Sequence, residues 1–146
     1  MGANPNYIKN VGALGVERIV KHKFKSKDYL EKKLGFRFGK KNAICTFHPP
    51  SLEKIDFNLF FENFISITDN YDDFKIIFTG ANADSGGFAI NRLLENYSRK
   101  YENICFKASL GESLFIDVLQ NVDFLIGNSS SAFLEAPALK LSLIHI

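Results

Sequence analysis

From Ala43 onward the chain alternates between short apolar runs and amphipathic stretches, and that alternation admits few folds. Ala43-Ile44-Cys45-Thr46-Phe47 is an apolar run of strand length. Ile55, Leu59, Phe60, Phe64 and Ile67 then recur at three- to five-residue spacing, which predicts a helix over 55–67. The pattern repeats: a strand over 74–79, a helix over 88–97, a strand over 104–106, a helix over 114–119 and a strand over 122–126. A helix is expected after Gly127 to about Leu139, then a last apolar strand over 141–146. Connections this short, between runs apolar on both faces, describe a Rossmann-like α/β fold, a parallel sheet with helices on both faces. Ahead of this unit, Ser26 suits the cap of a short helix that ends at Gly35. Residues 1–20 show no full element. The expected division is a lead-in at 1–25, one domain at 26–140 and a tail at 141–146.

Composition narrows the class further. A chain of 146 residues with 46% hydrophobic and 23% charged residues suits one folded domain rather than disorder. No apolar run approaches the roughly 20 residues of a bilayer span, and no leader opens the chain, so no membrane partner is expected. Cys45 and Cys105 sit in apolar runs and read as buried free thiols in a reducing, cytoplasmic setting. Between Glu17 and Lys41, ten Lys/Arg face three Asp/Glu, a surplus of seven in a chain of net charge +2. That stretch lacks the interleaved aromatics of single-strand binders and the motifs of groove binders, so a solvated basic helix is expected and nucleic acid is not.

Ligands of open parallel sheets bind outside the carboxyl ends of the strands. Four polar loops follow the expected strands: His48-Pro49-Pro50, Gly80 to Gly87, Lys107 to Gly111, and Gly127-Asn128-Ser129-Ser130-Ser131. In the last, three serines open a helix whose first N–H groups lack internal partners, an end suited to anions. Glu135, one turn on, suits sugar hydroxyls. A nucleoside diphosphate needs both, although serine capping beside a solvated glutamate fits the same pattern. His48 suits a phosphate or a leaving-group oxygen, or a satisfied loop histidine. Asn82 and Asp84 are ligand contacts or turn formers. Gly86-Gly87 lacks a full phosphate-loop fingerprint. The histidines and cysteines have no metal-ligand spacing, so no metal and no cofactor are expected.

At these residues the sequence resembles the hydrolysing UDP-N-acetylglucosamine 2-epimerases. The resemblance rests on Thr46-Phe47-His48-Pro49, Phe78-Thr79 with Asn82-Ala83-Asp84, Ser109-Leu110-Gly111, and Gly127 to Ser131 with Glu135-Ala136-Pro137. Gly12 to Glu17 resembles the segment by which that family's chain enters its second domain. The resemblance implies two Rossmann-like domains in the glycosyltransferase-B arrangement, this chain being the second, UDP-binding one. It implies that His48 faces the diphosphate as the one catalytic residue present, that Ser129 and Ser130 donate to phosphate, and that Glu135 holds the ribose. Ser109 would lie near the uracil, with Asn82, Asn128 and Ser131 as secondary contacts.

The implied reaction removes the sugar's C2 proton, expels UDP and adds water to the glycal, giving N-acetylmannosamine for sialic-acid-type synthesis. Its acid and base carboxylates belong to a first domain absent here, so the chain alone is expected to bind UDP and catalyse nothing. Homo-oligomerisation of a full-length protein stays open, as do a diacetylbacillosamine-type UDP sugar, a glycosyltransferase and a free-standing nucleotide module. Three residues depart from the family pattern: Ala132 for a glycine, Ala81 for a proline, and Pro50 after His48-Pro49. Residues 141–146 also translate, codon for codon, one frame of a transposase mosaic-end sequencing adapter. An adapter-derived tail is therefore expected, with a genuine final strand as the alternative, and His145 carries no functional weight.

Overall fold

The computed structural model describes residues 7, 9, 12–49, 55–68, 70–81, 85–129 and 132–145. Among them β1 (Lys41–Thr46), β2 (Phe74–Thr79), β3 (Ile104–Lys107), β4 (Phe124–Gly127) and β5 (Ser142–His145) form one sheet. The strand order is β3-β2-β1-β4-β5 and every pairing is parallel. The helices are α1 (Leu14–Lys21), α2 (Lys27–Leu34), α3 (Phe57–Thr68), α4 (Ser85–Lys100), α5 (Gly111–Leu119) and α6 (Ala132–Ala138).

The apolar runs are buried on both faces, as a sheet between two helical layers requires. On one face Ile44, Ile77, Cys105 and Leu125 pack with Leu30 and Leu34 of α2, Val118 and Leu119 of α5, and Ala132 and Ala136 of α6. On the other, Ala43, Cys45, Ile76, Phe78 and Ile126 pack with Phe61 and Ile65 of α3 and Ile90 and Leu94 of α4. Both cysteines are buried free thiols, and burial pushes the Cys45 thiol up to about 12. The strands therefore point alternate residues into two separate cores, and the helices divide between those cores by chain position.

α2 forms where its local signals place it. Ser26 Oγ accepts from the Tyr29 N–H at 3.3 Å, and Gly35 ends the helix at φ 63°. Ser26→Ala is expected to cost about 1 kcal/mol, read as a lower urea midpoint at unchanged slope.

The expectation of no element before residue 20 is corrected by α1. Its N-cap, Ala13, offers no side-chain acceptor, and Gly15 sits in its first turn, so local signals are weak. Eight residues do not hold a helix alone; docking does. Ile19 is buried and the helix packs against α6. Other elements differ from expectation mainly at their ends. α4 extends three residues further each way, to Ser85 and Lys100, α5 begins at Gly111, and α6 closes at Ala138, where the Leu141 N–H returns to the Ala136 carbonyl at 2.9 Å.

Candidate functional site

The chain lays β1, β2 and β3 side by side, then crosses to β4 and β5 on the opposite flank, so the order reverses between β1 and β4. A parallel sheet opens a crevice at such a point. Thr46, the last residue of β1, pairs in register with Gly127, the last of β4. Beyond that pair a side chain continues the ladder. Asn128 Oδ1 accepts from the His48 N–H at 2.9 Å, and Asn128 Nδ2 donates to the His48 carbonyl at 2.8 Å. Both halves of the Asn128 amide thus serve the His48 main chain, and the two loops are tied edge to edge.

A cleft of about 380 Å³ opens on the α5 and α6 side of this seam. Ser109, Ser129, Ala132 and Glu112 line it, with Thr46 and Thr79 at its floor. Those two threonines are register partners whose hydroxyl oxygens lie 2.5 Å apart. Ser109 Oγ accepts from the Gly111 N–H at 3.2 Å and so shapes the turn into α5. The Ala132 methyl, where the family pattern has glycine, is buried in the core cluster as well as bordering the cleft. Neither His48 nor Glu135 is in its lining; His48 follows the lining residue Thr46 by two positions and Glu135 follows Ala132 by three. Asn82, Ser130 and Ser131 lie outside the described residues.

His48 Nδ1 and Glu135 Oε2 are buried without a hydrogen-bond partner, and among the described residues no other side-chain polar atom is. Such atoms are rare in folded proteins and need a cause. Glu135 Oε1 lies beneath Gly15 of α1, 3.8 Å from where a Cβ there would stand. Burial, and then the negative charge of Glu112, hold the Glu135 carboxyl above its ordinary value of 4.5. Glu112 itself pairs with Arg18. Chemically, a carboxylate with an open oxygen accepts from hydroxyls, while an open imidazole nitrogen bonds an anionic oxygen when it carries a proton. Among the described residues no group of three or more His, Cys, Asp or Glu could hold a metal ion. No helix among them is long and apolar enough to cross a membrane.

Sequence reasoning named Ser109, Ser129, Glu135 and His48 as candidates and assigned no part to the Thr46 and Thr79 hydroxyls, to Glu112 or to Arg18. The threonines carried a usable signal. Each is the last residue of its strand, two positions beyond an isoleucine of the same core face, Ile44 and Ile77. Arg18 and Glu112 are 94 residues apart and carried none.

The profile of the UDP-N-acetylglucosamine 2-epimerase family matches residues 1–146. Curated relatives include a GDP/UDP-N,N'-diacetylbacillosamine 2-epimerase (hydrolyzing) from Campylobacter jejuni, 31% identical over 100% of this chain and 38% of the relative. The polysialic acid biosynthesis protein P7 of Escherichia coli is 32% identical over 100% of this chain and 37% of its own length. The chain thus spans a little over a third of these relatives. Among solved structures, an S. aureus MnaA–UDP complex shares the fold at TM-score 0.62 and 16% identity, covering 82% of this chain and 30% of that one. The UDP-GlcNAc 2-epimerase of Methanocaldococcus jannaschii does so at TM-score 0.62 and 16% identity, covering 89% and 35%. With the profile matched from the first residue to the last, the chain belongs to the UDP-N-acetylglucosamine 2-epimerase family.

Proposed function

We propose that this chain is the nucleotide-binding half of a hydrolysing UDP-sugar 2-epimerase. The observation that carries the reading is the pair of buried, unpartnered atoms, His48 Nδ1 and Glu135 Oε2, on residues two and three positions from lining residues of the cleft at the strand-order reversal. UDP supplies what both need. Its ribose hydroxyls donate to Glu135, and its diphosphate accepts from the imidazole and from the serine loop. Bound so, the glycosidic oxygen of a UDP-sugar points out of the domain, toward the half that would supply the proton-abstracting carboxylates. His48 then steadies the departing diphosphate as the C1–O bond breaks, and water adds to the glycal in a later step.

UDP-N-acetylglucosamine, leading to N-acetylmannosamine, is the first substrate reading. The relatives described as acting on N,N'-diacetylbacillosamine sugars favour a second, a diacetylated UDP sugar in the same nucleotide site. Titration of the 146-residue chain with UDP, UMP and UDP-N-acetylglucosamine tests the nucleotide site. UDP is expected to bind more tightly than UMP, and His48→Ala to weaken UDP by about tenfold while leaving UMP less affected. Equal affinities for UDP and UMP in wild type and variant alike would remove His48 from the diphosphate. The same chain is expected to release no UDP from UDP-N-acetylglucosamine above the buffer rate, and measurable release would overturn the division of labour between halves.

A further inference from the structure

Two threonine hydroxyls meet on the floor of the 380 Å³ cleft. Thr46 ends β1 and Thr79 ends β2, in register, each two positions past an isoleucine of the core face on which α5 and α6 pack. Alternation along a strand therefore turns both side chains to that face, where the cleft opens, and their hydroxyl oxygens lie 2.5 Å apart. Two hydroxyls carry two hydrogens, and one hydrogen bond joins them. Among the described residues neither oxygen has another hydrogen-bond partner, so one O–H is left to give.

The chemistry of the cleft bears on what receives that hydrogen. Among the described residues no Lys, Arg or His side chain lines it, and Glu112, which pairs with Arg18, is the one charged group that does. Leu110, Phe115, Leu125 and Ile126 supply apolar wall. A diphosphate set here would lose water beside a carboxylate and gain no cation, whereas a flat neutral ring bearing carbonyl oxygens suits such walls. We propose that Thr79 donates a hydrogen bond to a carbonyl oxygen of the nucleotide's pyrimidine base, and that Thr46, by donating to the Thr79 oxygen, is the residue that positions it. That assignment rests on the reading of the cleft as a nucleotide site. The direction of the two bonds follows from the neighbours of each strand. β2 runs beside β3, and the Gly80 N–H donates to the Lys107 carbonyl at 3.1 Å, so Thr79 stands on the side of the Ser109 turn. Thr46 lies between β2 and β4, in register with Gly127 and next to the His48–Asn128 seam, the side given to the diphosphate. A hydroxyl that accepts one hydrogen bond while giving another is held in one orientation and donates more strongly.

Thr79→Val tests the contact, because valine keeps the branched shape that a strand favours and removes the hydroxyl. Titration of the 146-residue chain compares UDP, uridine and inorganic pyrophosphate. Thr79→Val is expected to weaken UDP and uridine by the same factor, about five- to tenfold, and to leave pyrophosphate unchanged. Unchanged pyrophosphate binding also shows that the variant is folded. Thr79→Ser keeps the hydroxyl and should bind UDP within about twofold of wild type. Thr46→Val should weaken UDP by about two- to threefold by itself and add nothing on the Thr79→Val background, where no second hydroxyl remains to be oriented. A pyrophosphate loss as large as the uridine loss would move the pair to the diphosphate and overturn the proposal. So would a Thr46→Val effect of undiminished size on the Thr79→Val background. UDP held as tightly by Thr79→Val as by wild type would remove the base contact and leave the nucleotide site standing. A wild-type chain that binds neither UDP nor uridine would overturn both.

Discussion

Gly127→Ala is expected to cost about 3 kcal/mol or more and to lower the thermal midpoint by roughly 10 °C. A Cβ at Gly127 would stand 2.0 Å from the Thr46 carbonyl oxygen and 3.0 Å from its carbon, both backbone atoms of the register partner. Nothing there can rotate away. The backbone also sits at φ 151°, where side chains are rarely found. The strands must part locally or the loop must refold. Either response moves Asn128 relative to His48, so UDP affinity should fall with stability. Gly35→Ala is the control. Its φ of 63° is also unusual, but no atom lies within 4 Å of the new Cβ, so about 1 kcal/mol of strain is expected and no loss of UDP affinity. Equal melting temperatures for the two variants would refute the steric account.

Glu135→Gln is expected to divide binding from stability. For UDP it removes a charged acceptor, and affinity at neutral pH should drop by about 10- to 100-fold. For the ligand-free protein it removes a buried carboxylate oxygen that no protein group satisfies. The native carboxyl lies above the ordinary 4.5, so the folded state binds more protons than the unfolded one between those two values. Wild-type stability therefore declines as pH rises from about 4.5 through the native value, and stays lowered above it. Glu135→Gln should melt above wild type at neutral pH without UDP, and the gap should close in acid. A variant that melts lower at neutral pH while keeping UDP affinity would reverse both assignments.

How far the sequence could be read differs from element to element. α2 was legible to the residue, because Ser26 and Gly35 act through their own neighbouring backbone. β2 was legible because Phe74 to Thr79 is a near-continuous apolar run bounded by polar turns. α1 was not, since its cap and first turn argue against a helix and its support comes from α6, more than a hundred residues away. The candidate site divides in the same way. Ser109, Ser129 and His48 follow strands and announce themselves by loop chemistry, and Glu135 by its place in the helix that follows Gly127. The role of Asn128 as a tie between loops, the Thr46–Thr79 hydroxyl pair and the Arg18–Glu112 contact depend on which strands and helices become neighbours.

By itself the sequence determined that this protein is a parallel α/β domain with helices on both faces of its sheet and polar loops gathered at one edge, because hydrophobic period and turn chemistry are local properties. Only the tertiary structure decided that β1 and β4 lie side by side. That adjacency places His48 against Asn128 at the seam where the cleft opens. The reason is physical: strand order is set by the summed burial of two cores, and no short stretch of chain carries that sum.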